Sequence, residues 1–146
     1  MMINKLRGLR MRIAVAISLF VLATNQVWAW GSEGHIIVGR IAELHLTDKA
    51  KTGVENILGK DSRISDDSVA SWPDHIRRDR PETGPWHYVD IPFGATSYDV
   101  SRDCKSGQCV VVQTEHFASV LSDTNATMVS KAEALRFFVH FVGDLH

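Results

Sequence analysis

Residues 134–146, ALRFFVHFVGDLH, set the tightest constraint on what this chain can fold into. Apolar side chains recur nearly all round the segment at helical spacing, and a helix that is apolar on every side is a buried one. It nonetheless carries His140 and Asp144, four residues apart, so both project from one face. A buried imidazole and a buried carboxylate one turn apart each lose their water and require partners. Two arrangements meet that requirement. One is a hydrogen-bonded pair that specifies the core; the other is a pair of ligands presented to a metal ion.

The rest of the sequence also reads as helical. Ile37, Ile41 and Leu44 recur at i, i+4 and i+7 within residues 34–46, which predicts a helix with that stripe facing a core. Thr47 or Asp48 caps a second helix, which runs through Val54, Ile57 and Leu58 and stops at Gly59. Asp66 or Asp67 caps a third through Trp72, with Pro73 tolerated only near a first turn or a kink. Residues 86–92, WHYVDIP, read as a short strand or extended segment, and residues 93–107 show little periodicity. Residues 110–121 predict a further helix, and Ser130 to Glu133 offer a capping box that opens or reinforces the last one. With no repeat, linker or low-complexity tract, the chain forms one domain or part of one.

Residues 1–29 are an address rather than part of that domain. Met1 to Arg12 is basic, residues 13–23 are an unbroken apolar or small run, and Val27 and Ala29 supply the small residues that precede a cut after Ala29. This is the layout of a secretory signal peptide. Read instead as a membrane anchor, the run falls well short of the ~20 residues needed to span a bilayer. The segment contains Lys5, Arg7, Arg10 and Arg12 and no acid, so its removal leaves 12 bases against 17 acids. Such a domain does not hold nucleic acid by a broad basic surface, and any phosphate chemistry it performs depends on something else, such as metal ions. Export also suits the cysteines. Cys104 and Cys109 flank a turn-forming Ser106-Gly107, which reads as a short-loop disulfide formed in an oxidising compartment. A redox or zinc pair would have CxxC spacing. Asn125-Ala126-Thr127 matches an N-glycosylation acceptor.

Three further segments supply polar groups of the same chemical type as His140 and Asp144. SWPDHIR offers Asp74, with His75 beside it and Arg77 one turn on. WHYVD offers His87, with Asp90 on the opposite face if the segment is extended. His35 stands at the start of the first helix, where alone it reads as a capping or surface histidine.

Five strings, WGxxGH from Trp30, ASWPD with Arg77, WHYVD, RDCxxxxC and ALRFFVHFVGDLH, together resemble the S1/P1 nuclease family in order and spacing, over nearly all of residues 30–146. The resemblance implies an all-α, mainly helical fold of the phospholipase C/P1 nuclease type, with a trinuclear zinc site at the bottom of a cleft. Asp74, His87, His140 and Asp144 would bind one zinc. Trp30, through its free α-amino nitrogen and carbonyl oxygen, would join His35 and Asp144 on a second, with Asp144 bridging the two. Arg77 would contact phosphate, against the simpler reading of a surface ion pair. Tyr88 and Asp90 would read or stack a base, Tyr88 having a plain core role as its alternative. Zinc lowers the pKa of bound water from 15.7 to about 7, so a metal-activated hydroxide could cut phosphodiesters without a covalent intermediate. The activity implied is that of a secreted or periplasmic, monomeric endonuclease, free of any membrane anchor after processing. It would cut single-stranded DNA and RNA to 5'-phosphorylated products, with 3'-phosphomonoester cleavage as a possible second activity.

The family pattern continues past HFVGDLH into QPLH and a further His-x3-Asp helix that supply the third zinc, so this sequence matches its N-terminal portion and carries ligands for two zincs. A polypeptide ending at His146 is expected to have little or no activity. Two other readings stand beside the nuclease. A zinc-dependent phospholipase C of related architecture uses a similar N-terminal Trp and His/Asp set, and an inactive fragment would merely retain the ligand positions.

Overall fold

The computed structural model is described over residues 31–146; the expected signal peptide and the expected role of Trp30 lie outside the described residues. Helices α1 (Ser32–Glu43), α2 (Asp48–Leu58), α3 (Asp67–Ala70), α4 (Trp72–Ile76), α5 (Val100–Asp103), α6 (Val110–Ser122) and α7 (Met128–Asp144) follow in chain order. Short 3-10 turns cover Pro81–His87 and Lys105–Gly107, and there is no strand among the described residues. The fold is all-α, as expected. No described helix is long and apolar enough to cross a membrane.

The core forms where α6 packs along α7. Phe117 of α6 stacks on Phe137 of α7 with ring centroids 4.6 Å apart, and Val110, Ala134 and Phe141 complete the buried cluster. Trp72 and Trp86 meet Phe137 edge-on at 5.4 and 5.6 Å. These offset and edge contacts suit the aromatic quadrupole, and they pin α4 and the Pro81–His87 turn to α7. Arg80 closes the rim: its guanidinium lies 5.7 Å from the Phe137 centroid and pairs with Glu133 at 2.7 Å.

Several local expectations change. The stripe of Ile37, Ile41 and Leu44 does not face the core; these residues are 56%, 55% and 82% exposed. The buried residues of α1 are His35 and Gly39. A Cβ at Gly39 would stand 2.8 Å from Ser65 Cα, so this face is selected by backbone approach rather than by the largest apolar side chains. The cap of α7 is Thr127, which accepts from Ser130 N–H, so Ser130 lies inside the helix and opens no capping box. Asp66 precedes α3 but turns back to accept from Arg63 N–H, leaving the helix uncapped by its side chain. WHYVDIP is not a strand: Trp86 and His87 end the 3-10 turn, and only from Tyr88 is the backbone extended. The expected cap of α2 holds, with Thr47 accepting from Ala50 N–H, and Gly59 ends the helix at φ +106°.

α2 buries none of its own residues. Its Val54 and Ile57 look across an apolar cavity of about 370 Å³ toward Phe138 and Val142 of α7.

Candidate metal centre

Each candidate ligand reaches one point through a local device. Pro73 is the second residue of α4, and its missing N–H breaks the chain into α3 and α4 at Ser71. The Asp74 N–H is diverted to the Ser71 carbonyl, which leaves the Ala70 carbonyl at the end of α3 free. His140 Nδ1 donates to that carbonyl at 2.7 Å. A carbonyl only accepts, so the His140 proton is fixed on Nδ1 and Nε2 offers its lone pair to the interior. The same kink carries Asp74 inward. His87 ends the Pro81–His87 turn, and the next residue is held by Val110 N–H donating to the Tyr88 carbonyl at 3.0 Å.

The donors converge. His87 Nδ1 lies 3.0 Å from His140 Nε2 and 3.1 Å from Asp144 Oδ2; His140 Nε2 lies 3.3 Å from the same oxygen. Asp74 Oδ1 stands 3.7 Å from His87 Nδ1 and 3.8 Å from His140 Nε2. Ligands about 2.0–2.1 Å from a tetrahedral zinc are separated by about 3.3 Å, so the His87, His140 and Asp144 donors are spaced for such an ion, with Asp74 slightly farther from both imidazoles. The second carboxylate oxygen of Asp144, Oδ1, turns the other way, to His35 Nε2 at 3.4 Å. Asp144 therefore faces two donor sets at once, the disposition expected of a bridging carboxylate. Two groupings of three side chains each place their donor atoms within 4.8 Å of one another: Asp74, His87 and His140, and His35, His140 and Asp144.

The protonation arithmetic also fits a cation. His87 Nε2 and His35 Nδ1 are buried without a hydrogen-bond partner. A neutral imidazole has one proton. If it sits on the unpartnered nitrogen, the inward nitrogens present lone pairs to one another and to carboxylates; if it sits inward, a buried lone pair is left unsatisfied outside. A divalent ion among the inward atoms would relieve the lone-pair repulsion of the first arrangement, leaving its outer N–H without an acceptor. Burial, reinforced by the neighbouring His140, lowers the His35 pKa from 6.5 against the pull of Asp144 and Asp74, which favours the neutral, ligating form. Burial alone would raise the Asp144 carboxyl, but hydrogen bonding and charge attraction from the His140 and His87 rings, effective when those rings carry a proton on the inward nitrogen, outweigh it and bring the pKa down to about 2.

His35 is 3% exposed, its ring stacked on His140 with centroids 3.7 Å apart, so it is neither a cap nor a surface residue. Gly143 makes this possible. A Cβ there would stand 2.7 Å from His35 Nδ1. Sequence reasoning passed over Gly143 and the Ala70 carbonyl; a lone glycine inside an apolar helix was the available signal for the first.

Arg77 pairs with Asp74 at 3.4 Å at the mouth of the cluster. A cleft of about 830 Å³ opens there, lined by Gly31, Ser32, Asp74, His75, Arg77 and Arg78. Tyr88 is 51% exposed rather than core, and Asp90 is exposed; neither lines this cleft. Cys104 and Cys109 form the expected disulfide. Cys109 precedes α6, so the bridge braces the helix start that holds Tyr88.

Fold and site together define an all-helical protein that gathers histidines and aspartates into one buried donor cluster beneath a cleft. The family model described as S1/P1 nuclease matches residues 30–146, and the chain belongs to that family. It is 33% identical over 123 residues to nuclease P1 of Penicillium citrinum, covering 80% of this chain and 45% of the relative. It is 32% identical over 137 residues to nuclease S1 of Aspergillus oryzae, covering 89% and 47%. With endonuclease 4 of Arabidopsis thaliana the figures are 34% over 134 residues, 84% and 45%. The chain spans about half the length of the curated relatives it matches.

Proposed function

We propose that this chain, from Trp30 onward, is part of an exported zinc-dependent endonuclease that hydrolyses phosphodiester bonds of single-stranded DNA and RNA to 5'-phosphorylated products. The observation that carries this reading is the convergence of Asp74, His87, His140 and both faces of Asp144. The nuclease names of the relatives supply the substrate class.

In this reading Asp74, His87, His140 and Asp144 hold one zinc, and His35, Asp144 and the N-terminal Trp30 hold another. Bound there, zinc supplies a nucleophile at neutral pH and positive charge for phosphoryl oxygens in an in-line displacement. The chain's residues do the rest. The Ala70 carbonyl keeps the His140 proton on Nδ1, and the Phe141 ring, 5.1 Å from His87, excludes water from its buried side. Arg77, paired with Asp74 at the mouth, would contact a phosphate as its ion pair loosens. The acidic balance outside residues 1–29 is compatible with this, because the metals rather than a basic surface attract the substrate.

The test is zinc content of the exported protein together with hydrolysis of single-stranded DNA, RNA and phosphatidylcholine. Bound zinc with cleavage of the nucleic acids supports the reading. Cleavage of the lipid alone would assign a phospholipase, and absence of bound zinc would leave a non-catalytic helical protein.

A further inference from the structure

We propose that Arg78 forms a second phosphate subsite on the cleft rim, taking the phosphate of the nucleotide adjacent to the one being cut and so favouring a polynucleotide over a mononucleotide. The inference rests on the nuclease reading above. It starts from the run Arg77-Arg78-Asp79-Arg80, which leaves α4 beside Asp74.

Two of its three guanidiniums are engaged. Arg77 pairs with Asp74 at 3.4 Å, and Arg80 is held by Glu82 at 3.1 Å and Glu133 at 2.7 Å while lying against Phe137. Arg78 is exposed, lines the 830 Å³ cleft, and has no ion pair or hydrogen bond among the described residues. Among the described residues Asp74 is the one acid lining that cleft, and it belongs to the donor cluster, so the cleft opens on the place where a scissile phosphate would sit. Outside residues 1–29 acids outnumber bases, so a free guanidinium at this mouth is not a sample of a generally basic surface.

Guanidinium is the side chain matched to phosphate, with a planar fork that engages two oxygens. A mononucleotide or simple ester carries a single phosphate, which the cluster and Arg77 occupy. A strand carries the next phosphate along, and Arg78 is the unengaged cation on the wall it must pass. The exposed imidazole of His75 lines the same wall and adds a hydrogen-bond donor.

The experiment uses the full zinc-loaded protein and a fluorescent phosphorothioate oligothymidylate, with affinity read by anisotropy across a salt series. One phosphate contact to a single strand contributes about 0.7 to the slope of log affinity against log salt. R78A is expected to weaken strand binding several-fold and flatten the slope by about 0.7, whereas R78K keeps the slope. Unchanged zinc content and helical circular dichroism show that the variants are folded. Thymidine monophosphate, as a competitor, fixes the location: an equal loss for monomer and strand would place Arg78 on the first phosphate and overturn the subsite. A slope identical to wild type would overturn it as well. Failure of the wild-type protein to bind the strand would bring down the nuclease reading itself, and the subsite with it.

Discussion

Gly143 leaves open the space that the imidazole of His35 fills: a Cβ at position 143 would come within 2.7 Å of His35 Nδ1. Both residues lie on rigid helices, α1 and α7, so neither backbone yields easily to relieve the clash. Gly143→Ala is therefore expected to push His35 away from Asp144 Oδ1. Zinc titration should show one site weakened by on the order of 10–100-fold, the range seen when the support of a metal ligand is lost. Two sites of unchanged affinity would show that the rings have room to move.

Asp144 and Asp74 separate by reach. Asp144 turns one oxygen to His35 and the other to His87 and His140, whereas Asp74 approaches only His87 and His140. Asp144→Asn should weaken both zinc equivalents, and Asp74→Asn one. Activity on single-stranded DNA should fall in Asp144→Asn by more than the roughly 100-fold typical of an outer-shell change. Equal zinc contents for the two variants would remove the bridging role.

The zinc-stripped protein should lose stability as pH drops below about 6.5. His35 has a folded-state pKa below 6.5, so in the window beneath that value the unfolded chain binds more protons and stability rises with pH. Asp144, with a folded pKa of about 2 against 3.8, contributes stability above 3.8 that fades only as pH falls toward 2. Between pH 7.5 and 5.5 the slope thus comes from the histidine side. Urea denaturation at pH 7.5, 6.5 and 5.5 measures it, and His35→Gln should flatten the profile.

The disulfide closes a short loop, with the cysteines five residues apart in sequence. Loop-closure entropy for so small a ring gives about 2 kcal/mol. The double variant Cys104→Ser/Cys109→Ser should lose about that much in denaturant titration. Zinc affinity should hold if the Val110 to Tyr88 hydrogen bond persists, and a large affinity loss would show that the bridge also sets the position of His87.

The exposed and buried faces of the helices make opposite demands. Phe137 is fully buried and stacked on Phe117, so Phe137→Ala should cost about 3–5 kcal/mol. Ile41→Ser, on the exposed stripe of α1, should change the stability of the described domain by less than about 0.5 kcal/mol. Comparable losses at the two sites would mean that the α1 stripe is covered.

The sequence alone determined the helical class, because apolar spacing near 3.6 residues recurs through most of the chain on either side of residues 86–107 and local caps such as Thr47 and Gly59 act within a few residues. It also singled out the polar residues of the site. His140 and Asp144 sit in a segment too apolar to hold them unpartnered, and the five strings around Trp30, Asp74, His87, Cys104 and His140 carried the family resemblance. Tertiary structure decided what spacing could not express. The apolar stripe of α1 points outward because its buried face was chosen by how closely Gly39 lets the Ile64–Ser65 backbone approach and by the room Gly143 leaves for the His35 ring, contacts between segments far apart in sequence. The Ala70 carbonyl that orients His140, seventy residues away in sequence, became available where the helix breaks at Ser71 and the Asp74 N–H turns to the Ser71 carbonyl. Helix formation is governed by neighbours along the chain; a donor cluster is governed by atoms that only packing brings together.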